Sequence, residues 1–282
     1  MTERATWLEE RRRYLGGTDI AAIAGKHKYK TALSVYAEKV LGVRPEGAHQ
    51  VLARVGLALE PLILELAQED LGIVIEPGRL LRHSVYPFIG GNTDGRVQGI
   101  PRTVEIKTYG FATAKEWGQE MSDEVPDAYH VQSTLYSALD ETEDTLVVAF
   151  HRDTGERTYY LVPANAEYAA SLIELGVAFW NDYILPRREP RAEDFRDLET
   201  VRAIYAEQET ELMVGDAAFD ERAETYLELR DLSSKAQKEM DGIKAQMIQA
   251  IGSAAGLVTA AGNFTYKPRK DGVRVFRAPG GN

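Results

Sequence analysis

Residues 90–110 read GGNTDGRVQGIPRTVEIKTYG, and this stretch decides the fold. Asp94 closes one strand-like segment, and eleven residues later VEIKT supplies Glu105 and Lys107. Residues two apart in a strand share a face, so Glu105 and Lys107 project together while Val104 and Ile106 point into packing. If the Asp94 strand pairs with VEIKT across the QGIPR turn, three charged groups converge on one side of a sheet. Two neighbouring carboxylates resist joint ionisation unless a cation bridges them. A divalent metal answers that need, and Lys107 then stands where it could orient or deprotonate a water. This is the geometry that metal-assisted phosphodiester hydrolysis requires. A plain structural reading stands beside it, because Asp-Gly is a common turn signal and EIK suits the exposed face of an edge strand.

Composition narrows the metal. The 282 residues contain no cysteine, which excludes disulfides, thiolate zinc sites, iron–sulfur clusters and cysteine nucleophiles together. The five histidines include no pair at metal-binding helical spacing. A metal site must therefore be built mainly from oxygen, which favours Mg²⁺ or Mn²⁺. With 44% hydrophobic and 27% charged residues, a buried core is expected and general disorder is not. The length suits one large domain, or one domain and an appendage. No run approaches the roughly 20 apolar residues of a membrane helix, and MTERATWLEERRR lacks a signal-peptide core, so the expected setting is the cytosol.

A net charge of −11 argues at face value against a nucleic-acid partner, but the signs are segregated. Residues 1–30 carry seven Lys/Arg against four Asp/Glu, and residues 263–282 carry five against one. The span 189–231 holds fourteen acids and five bases. Most of the acidity thus lies in one stretch.

Working outward, Thr18 can cap a short helix ended by Gly25, and Thr31 can cap a longer one ended by Gly42. The polar connection VRPEGAHQ leads to an apolar helix over 57–71, with Pro61 near its first turn. Strand-like segments follow, IVIEP, RLLRHSVYPFIGG, NTDGRVQG and RTVEIKTYG. Residues 112–121 and 127–139 read as helices, TLVVAFHRD and RTYYLVP as a hairpin, and 164–185 as a long helix stopped by Pro186 and Pro190. The order indicates a mixed α/β (α+β) core, a central sheet flanked by helices, over residues 1–190. Residues 191–282 read as an acidic linker, a helix over about 220–251 and a basic hairpin. In that helix Tyr226, Leu229, Ala236, Met240, Ile243 and Met247 follow 3–4 spacing, interrupted by Ser233, as a short and impure coiled-coil seam.

The D-x10-ExK arrangement resembles the PD-(D/E)xK nuclease superfamily, and more narrowly its lambda exonuclease and YqaJ-type viral recombinase branch. Four further pieces match in order over roughly residues 7–185. RRRYLGGTDIAAIAG resembles the family's R-x-x-G-I-G-G-S-D-A-A-A-I-x-G segment. GLALEPLILELAQEDLG resembles its G-x-x-x-E-x-x-I helix with Glu60 at the acidic position, and VEIKT carries the catalytic pair. VPDAYHVQSTLYSAL resembles its V-P-x-x-Y-x-x-Q-x-Q-x-x-M helix, aligning Tyr129 and Gln132. Thr93 replaces the superfamily's proline, Tyr14 a family glycine, and Thr134 the second glutamine.

The resemblance implies a restriction-endonuclease-like fold and a magnesium- or manganese-dependent site. Asp94, Glu105, the carbonyl of Ile106 and Glu60 would hold two ions, Lys107 would position the attacking water or act as general base, and Gln132 and Tyr129 would hold water and the scissile phosphate. Arg12 first, then Arg11, with Thr18 and Asn92, would grip a 5′-terminal phosphate. Their residue types suit a phosphate cradle at a helix start. The implied activity is a 5′-to-3′ exonuclease on linear double-stranded DNA that leaves 3′ overhangs for strand annealing. A ring-shaped homotrimer, a single-strand annealing protein as partner and a phage or prophage source come with it. Other polarity, endonucleolytic action, or a catalytically silent DNA-binding scaffold stay open as alternatives. For the basic tail (Lys267, Arg269, Lys270, Arg274, Arg277), contact with DNA backbone and a charged, association-resistant sheet edge are equal readings.

Overall fold

A computed structural model describes residues 9–44, 48–207 and 211–279. The N-terminal stretch 1–8 and Pro45–Gly47 of the polar connection lie outside the described residues. Helix α1 spans Gly17–Ile23 and α2 spans Ala32–Tyr36, the latter running on as a π-helical turn over Ala37–Leu41. Thr31 caps α2 by accepting from the Ser34 N–H, as its position predicts. Thr18 does not cap α1. The cap is Gly16, whose N–H donates to Asp19 Oδ2 at 3.0 Å, so Thr18 falls in the first turn.

Helix α3 runs over Ala48–Leu71, starting well before its apolar run, and Pro61 therefore lies in its interior rather than its first turn. A proline there offers no N–H to the Leu57 carbonyl. The strands β1 (Ile75–Pro77), β2 (Leu80–Arg82), β3 (Gly90–Asn92), β4 (Gly95–Val97) and β5 (Arg102–Tyr109) follow. The helix expected over 112–121 is only a 3-10 turn, Phe111–Glu116. Gly118 breaks it, and Trp117 turns in to pack on Tyr109, Tyr129 and Tyr160. Helix α4 (Asp127–Asp140) precedes β6 (Asp144–His151) and β7 (Arg157–Pro163), the predicted hairpin. Helix α5 (Ala166–Phe179) continues as a π-helical turn, Trp180–Ile184, and α6 covers Asp197–Ile204.

The central sheet has the order β1-β4-β5-β6-β7, with β5 and β6 parallel and the other pairs antiparallel. One face of β5 and β6 (Val104, Ile106, Leu146, Val148) packs against Ile63 and Ala67 of α3. The opposite side is covered by α4, which joins α1, α2 and α5 around Leu15, Ile20, Val35, Val131 and Leu135. The alternation within β5 therefore sends Glu105 and Lys107 toward α4 and Val104 and Ile106 toward α3.

The chain divides into two compact units, Met1–Gln208 and Glu209–Asn282. In the first, the stretch after Pro190 is tied to the core, since Thr31 Oγ1 donates to Asp197 and Arg196 donates to the His27 carbonyl. The second holds helix α7 (Ala217–Ile251) and the strands β8 (Gly256–Thr259), β9 (Gly262–Pro268) and β10 (Arg274–Arg277). These strands form a three-stranded antiparallel sheet, one strand more than the expected hairpin. Among the described residues no helix is long and apolar enough to cross a membrane.

Candidate active site

Strand β4 is short, and this shapes the site. Gly95 pairs with Val104, and the Asp94 N–H donates to the Val104 carbonyl at 3.2 Å. Beyond Val104, β5 has no β4 partner, while its other edge is paired with β6 along its whole length. At the open edge the Asp94 side chain takes over, with Oδ2 accepting the Ile106 N–H at 2.6 Å. The N–H and C=O of one strand residue point the same way, so the Ile106 carbonyl faces this edge too.

Glu105 is 1% exposed. Its Oε2 accepts from Lys107 Nζ at 2.8 Å and from Gln132 Nε2 of α4 at 2.8 Å. Its Oε1 is buried without a hydrogen-bond partner. The Lys107 ammonium also lies 5.3 Å from the centre of the Tyr129 ring, one helical turn before Gln132, within cation–π reach. The structure thus gathers Asp94, Glu105, Ile106, Lys107, Gln132 and Tyr129 in one place.

The electrostatics bring Glu60 of α3 to the same place. Burial, reinforced by Asp94, pushes its carboxyl up to about 7 against the pull of Lys107. Burial also raises Asp94, although Lys107 and the Ile106 N–H oppose the shift. Burial lifts Glu105 up to about 8, with Asp94 and Glu60 adding to the rise and Lys107 opposing it. For Lys107, burial works against the charge, but Glu105 and Asp94 outweigh it and hold the ammonium above its ordinary range. The sequence left Lys107 as orienting group or general base, and these neighbours favour its charged form. Among the described residues no three acidic groups form a ready-made metal cage, because Glu105 and Asp94 are turned onto Lys107, Gln132 and the Ile106 N–H. The donors nevertheless fit a hard cation: all are oxygens, one buried carboxylate oxygen has no partner, and burial raises three neighbouring carboxyls despite Lys107.

The residues assigned to a 5′-phosphate divide. Arg12 donates to the carbonyls of Lys39 and Val40 at 3.2 Å each, so its guanidinium is spent on the end of the π-helical turn. Arg11 lies instead among Asp19, Glu38, Tyr136 and Tyr14; burial opposes its charge, and the two carboxylates more than offset that. Asn92 is exposed and its Nδ2 donates to Tyr14 Oη at 3.4 Å. Thr18 is half-buried in α1. The N–H of Gly17 donates to Tyr136 Oη at 3.4 Å, and a Cβ on Gly17 would stand 2.6 Å from Gln132 Cγ, so α1 is pressed onto the helix that holds Glu105.

Beneath lies a buried ionic cluster that the sequence reading missed. Lys39 Nζ meets Asp19 Oδ2 at 2.7 Å, and Lys30 Nζ bridges Asp19 and Glu38 at 3.1 and 3.2 Å. Burial alone would raise the Asp19 pKa, but Lys39, Lys30 and Arg11 hold it far below the usual carboxylate range. The signal was legible: Asp19 and Lys39 are charges within helical runs whose other residues are mostly apolar or small.

The site is thus an aspartate and a Glu-x-Lys pair at the open edge of a five-stranded mixed sheet flanked by helices. An alkaline exonuclease from Laribacter hongkongensis shares the fold with a TM-score of 0.50 at 17% identity, covering 63% of this chain and 91% of that one. Residues 6–142 match the YqaJ-like viral recombinase domain. The "Uncharacterized protein YqaJ" of Bacillus subtilis (strain 168) is 28% identical over 255 residues, 88% of this chain and 79% of the relative.

Proposed function

We propose that the chain is a divalent-metal-dependent exodeoxyribonuclease that digests one strand of linear duplex DNA from a 5′-phosphorylated end and leaves a 3′ single strand for annealing. The observation that carries it is the partnerless, buried Glu105 Oε1, with Lys107 on the other oxygen of that carboxylate and Asp94 bonded to the Ile106 N–H on the same strand. Asp94, Glu105, Ile106 and Glu60 would hold two Mg²⁺ or Mn²⁺ ions. Such ions, when bound, supply Lewis acidity and a more acidic water.

The chain's own residues do the rest. Lys107 orients the attacking water and meets the growing negative charge on the phosphate. Tyr129 confines the ammonium from one side, and Gln132 fixes the rotamer of Glu105. Arg11, with Thr18, Asn92 and Tyr14, receives the 5′ phosphate; Arg12 supports this pocket through the π-helical turn. The fold match and the viral recombinase family support this reading, which extends to a ring-shaped homotrimer, a single-strand annealing protein as partner and a phage or prophage source.

The test uses end-labelled linear duplex with and without 5′ phosphate, Mg²⁺ or EDTA, and wild type beside Lys107→Ala. Mononucleotide release from 5′-phosphorylated ends, lost with EDTA and with the substitution, supports the proposal. Nicking of closed circular DNA, or activity that survives Lys107→Ala, overturns it.

A further inference from the structure

Helix α7 carries a repeat longer than its Met/Ile stretch. Positions 219, 222, 226, 229, 233, 236, 240, 243 and 247 alternate spacings of three and four without a break, occupied by Phe, Arg, Tyr, Leu, Ser, Ala, Met, Ile and Met. A strict 3.5-residue period keeps one face turned toward a supercoiling partner helix. That face is open in the chain: Tyr226 is 67% exposed, Leu229 60%, Met240 61% and Ile243 51%. Only toward its C-terminal end is the helix covered, where Ile251 is buried and Met247 half-buried.

We propose that the seam of α7 pairs with the α7 of a second copy of this chain as an antiparallel two-helix coiled coil. Charge decides the occupant and its direction. Residues 217–233 carry five acids and two bases, whereas residues 234–251 carry two acids and three bases. Antiparallel pairing sets the acidic half of each helix against the basic half of the other. Parallel pairing stacks acidic on acidic and places Arg222 on Arg222 in the seam. The one cross-helix pair that parallel packing gains, Glu239 with Lys244, is weakened because Lys244 already lies 6.0 Å over the Phe276 ring.

Side-chain size agrees. In the antiparallel register the layers are Tyr226 on Ile243, Leu229 on Met240 and Ser233 on Ala236, each occurring twice about a two-fold axis. Large residues meet large ones, and the two small ones meet at the centre, as an isologous contact requires. The contact stands with or without the ring.

The absence of cysteine gives a clean test on the full-length chain. Leu229→Cys and Met240→Cys are made singly, then mixed at micromolar concentration under mild oxidation and run on a denaturing gel. Antiparallel pairing gives a covalent dimer from the mixture and none from either variant alone, since like positions then lie eleven residues apart along the axis, about 16 Å, beyond disulfide reach. A dimer from each variant alone means parallel pairing and overturns the proposal, as does no dimer in any arm. As a second measurement, Leu229→Asp with Met240→Asp halves the mass found by light scattering; an unchanged mass also overturns it. Melting temperature and DNA digestion, measured in parallel, report on the nuclease core separately, so failure of either reading is distinguishable.

Discussion

Glu105 is the residue on which the site turns. Its carboxylate collects Lys107, Gln132 and the charges of Asp94 and Glu60 in a space that excludes water. Lys107→Ala and Glu105→Gln should each lower the rate of nucleotide release by about 10²–10⁴-fold with little loss of fold, measured as single-turnover digestion beside a circular-dichroism melt. The raised carboxyls give a pH signature. Glu60 and Glu105 bind a proton more tightly folded than unfolded, so the folded state holds more protons between their unfolded value of 4.5 and about 7–8. Stability then falls as pH rises through that window. In EDTA the melting temperature should drop between pH 5 and pH 8. Mg²⁺ should restore it at pH 8 far more than at pH 5, and Glu105→Gln should lose most of that gain. A melting temperature indifferent to Mg²⁺ at pH 8 contradicts the metal reading.

Elements position these groups, and two contacts matter most. Gly17 of α1 touches Gln132, so Gly17→Ala should cost about 1–3 kcal/mol by overpacking and also slow digestion, because α4 can yield only by shifting the Glu105 partner. A melt combined with digestion rates at fixed folded fraction separates the two effects. Asp19→Asn should cost about 3–5 kcal/mol, because it leaves the buried Lys39 ammonium without its charge partner. Since the folded pKa of Asp19 is depressed, its contribution is present above the unfolded value of 3.8 and disappears as pH falls toward the folded one. The variant should therefore show a shallower acid transition.

Much of this layer was legible from sequence. Asp94 and Glu105 are eleven residues apart because two antiparallel strands need only a short turn between them, and the two-residue alternation aims Glu105 with Lys107. The start of α3 was not, although Ala48, Val51, Leu52 and Val55 follow helical spacing, because the Pro- and Gly-containing connection just before them reads as a loop and Val51, Leu52 and Val55 stay exposed. Nor was the different placement of Arg11 and Arg12, since adjacent residues diverge and the carbonyls that claim Arg12 come from a π-helical turn 27 and 28 residues away.

At the scale of the molecule, charge of the two signs is parcelled out by segment. In the C-terminal sheet Arg274 donates to the Gly252 and Ala254 carbonyls, and Arg269 pairs with Asp271, which leaves Lys267, Lys270 and Arg277 as the tail's candidates for phosphate contact. Lys267→Ala with Lys270→Ala should reduce the slope of log affinity for duplex DNA against log salt by about 2. An unchanged slope would assign the tail to the sheet-edge role instead.

The brevity of β4 leaves a lasting mark on how this protein can be dissected. Where the strand gives out, a main-chain oxygen at position 106 joins the pocket, and no exchange of side chain deletes it. Isoleucine there answers only to the packing beneath the sheet, so swaps such as Ile106→Val should pass almost unnoticed in a mutational survey. One member of the proposed ligand set is thereby invisible to genetics. It is written into the path of the backbone, and an amide-to-ester replacement in that linkage, which weakens the carbonyl as an acceptor, is the change that would reveal it.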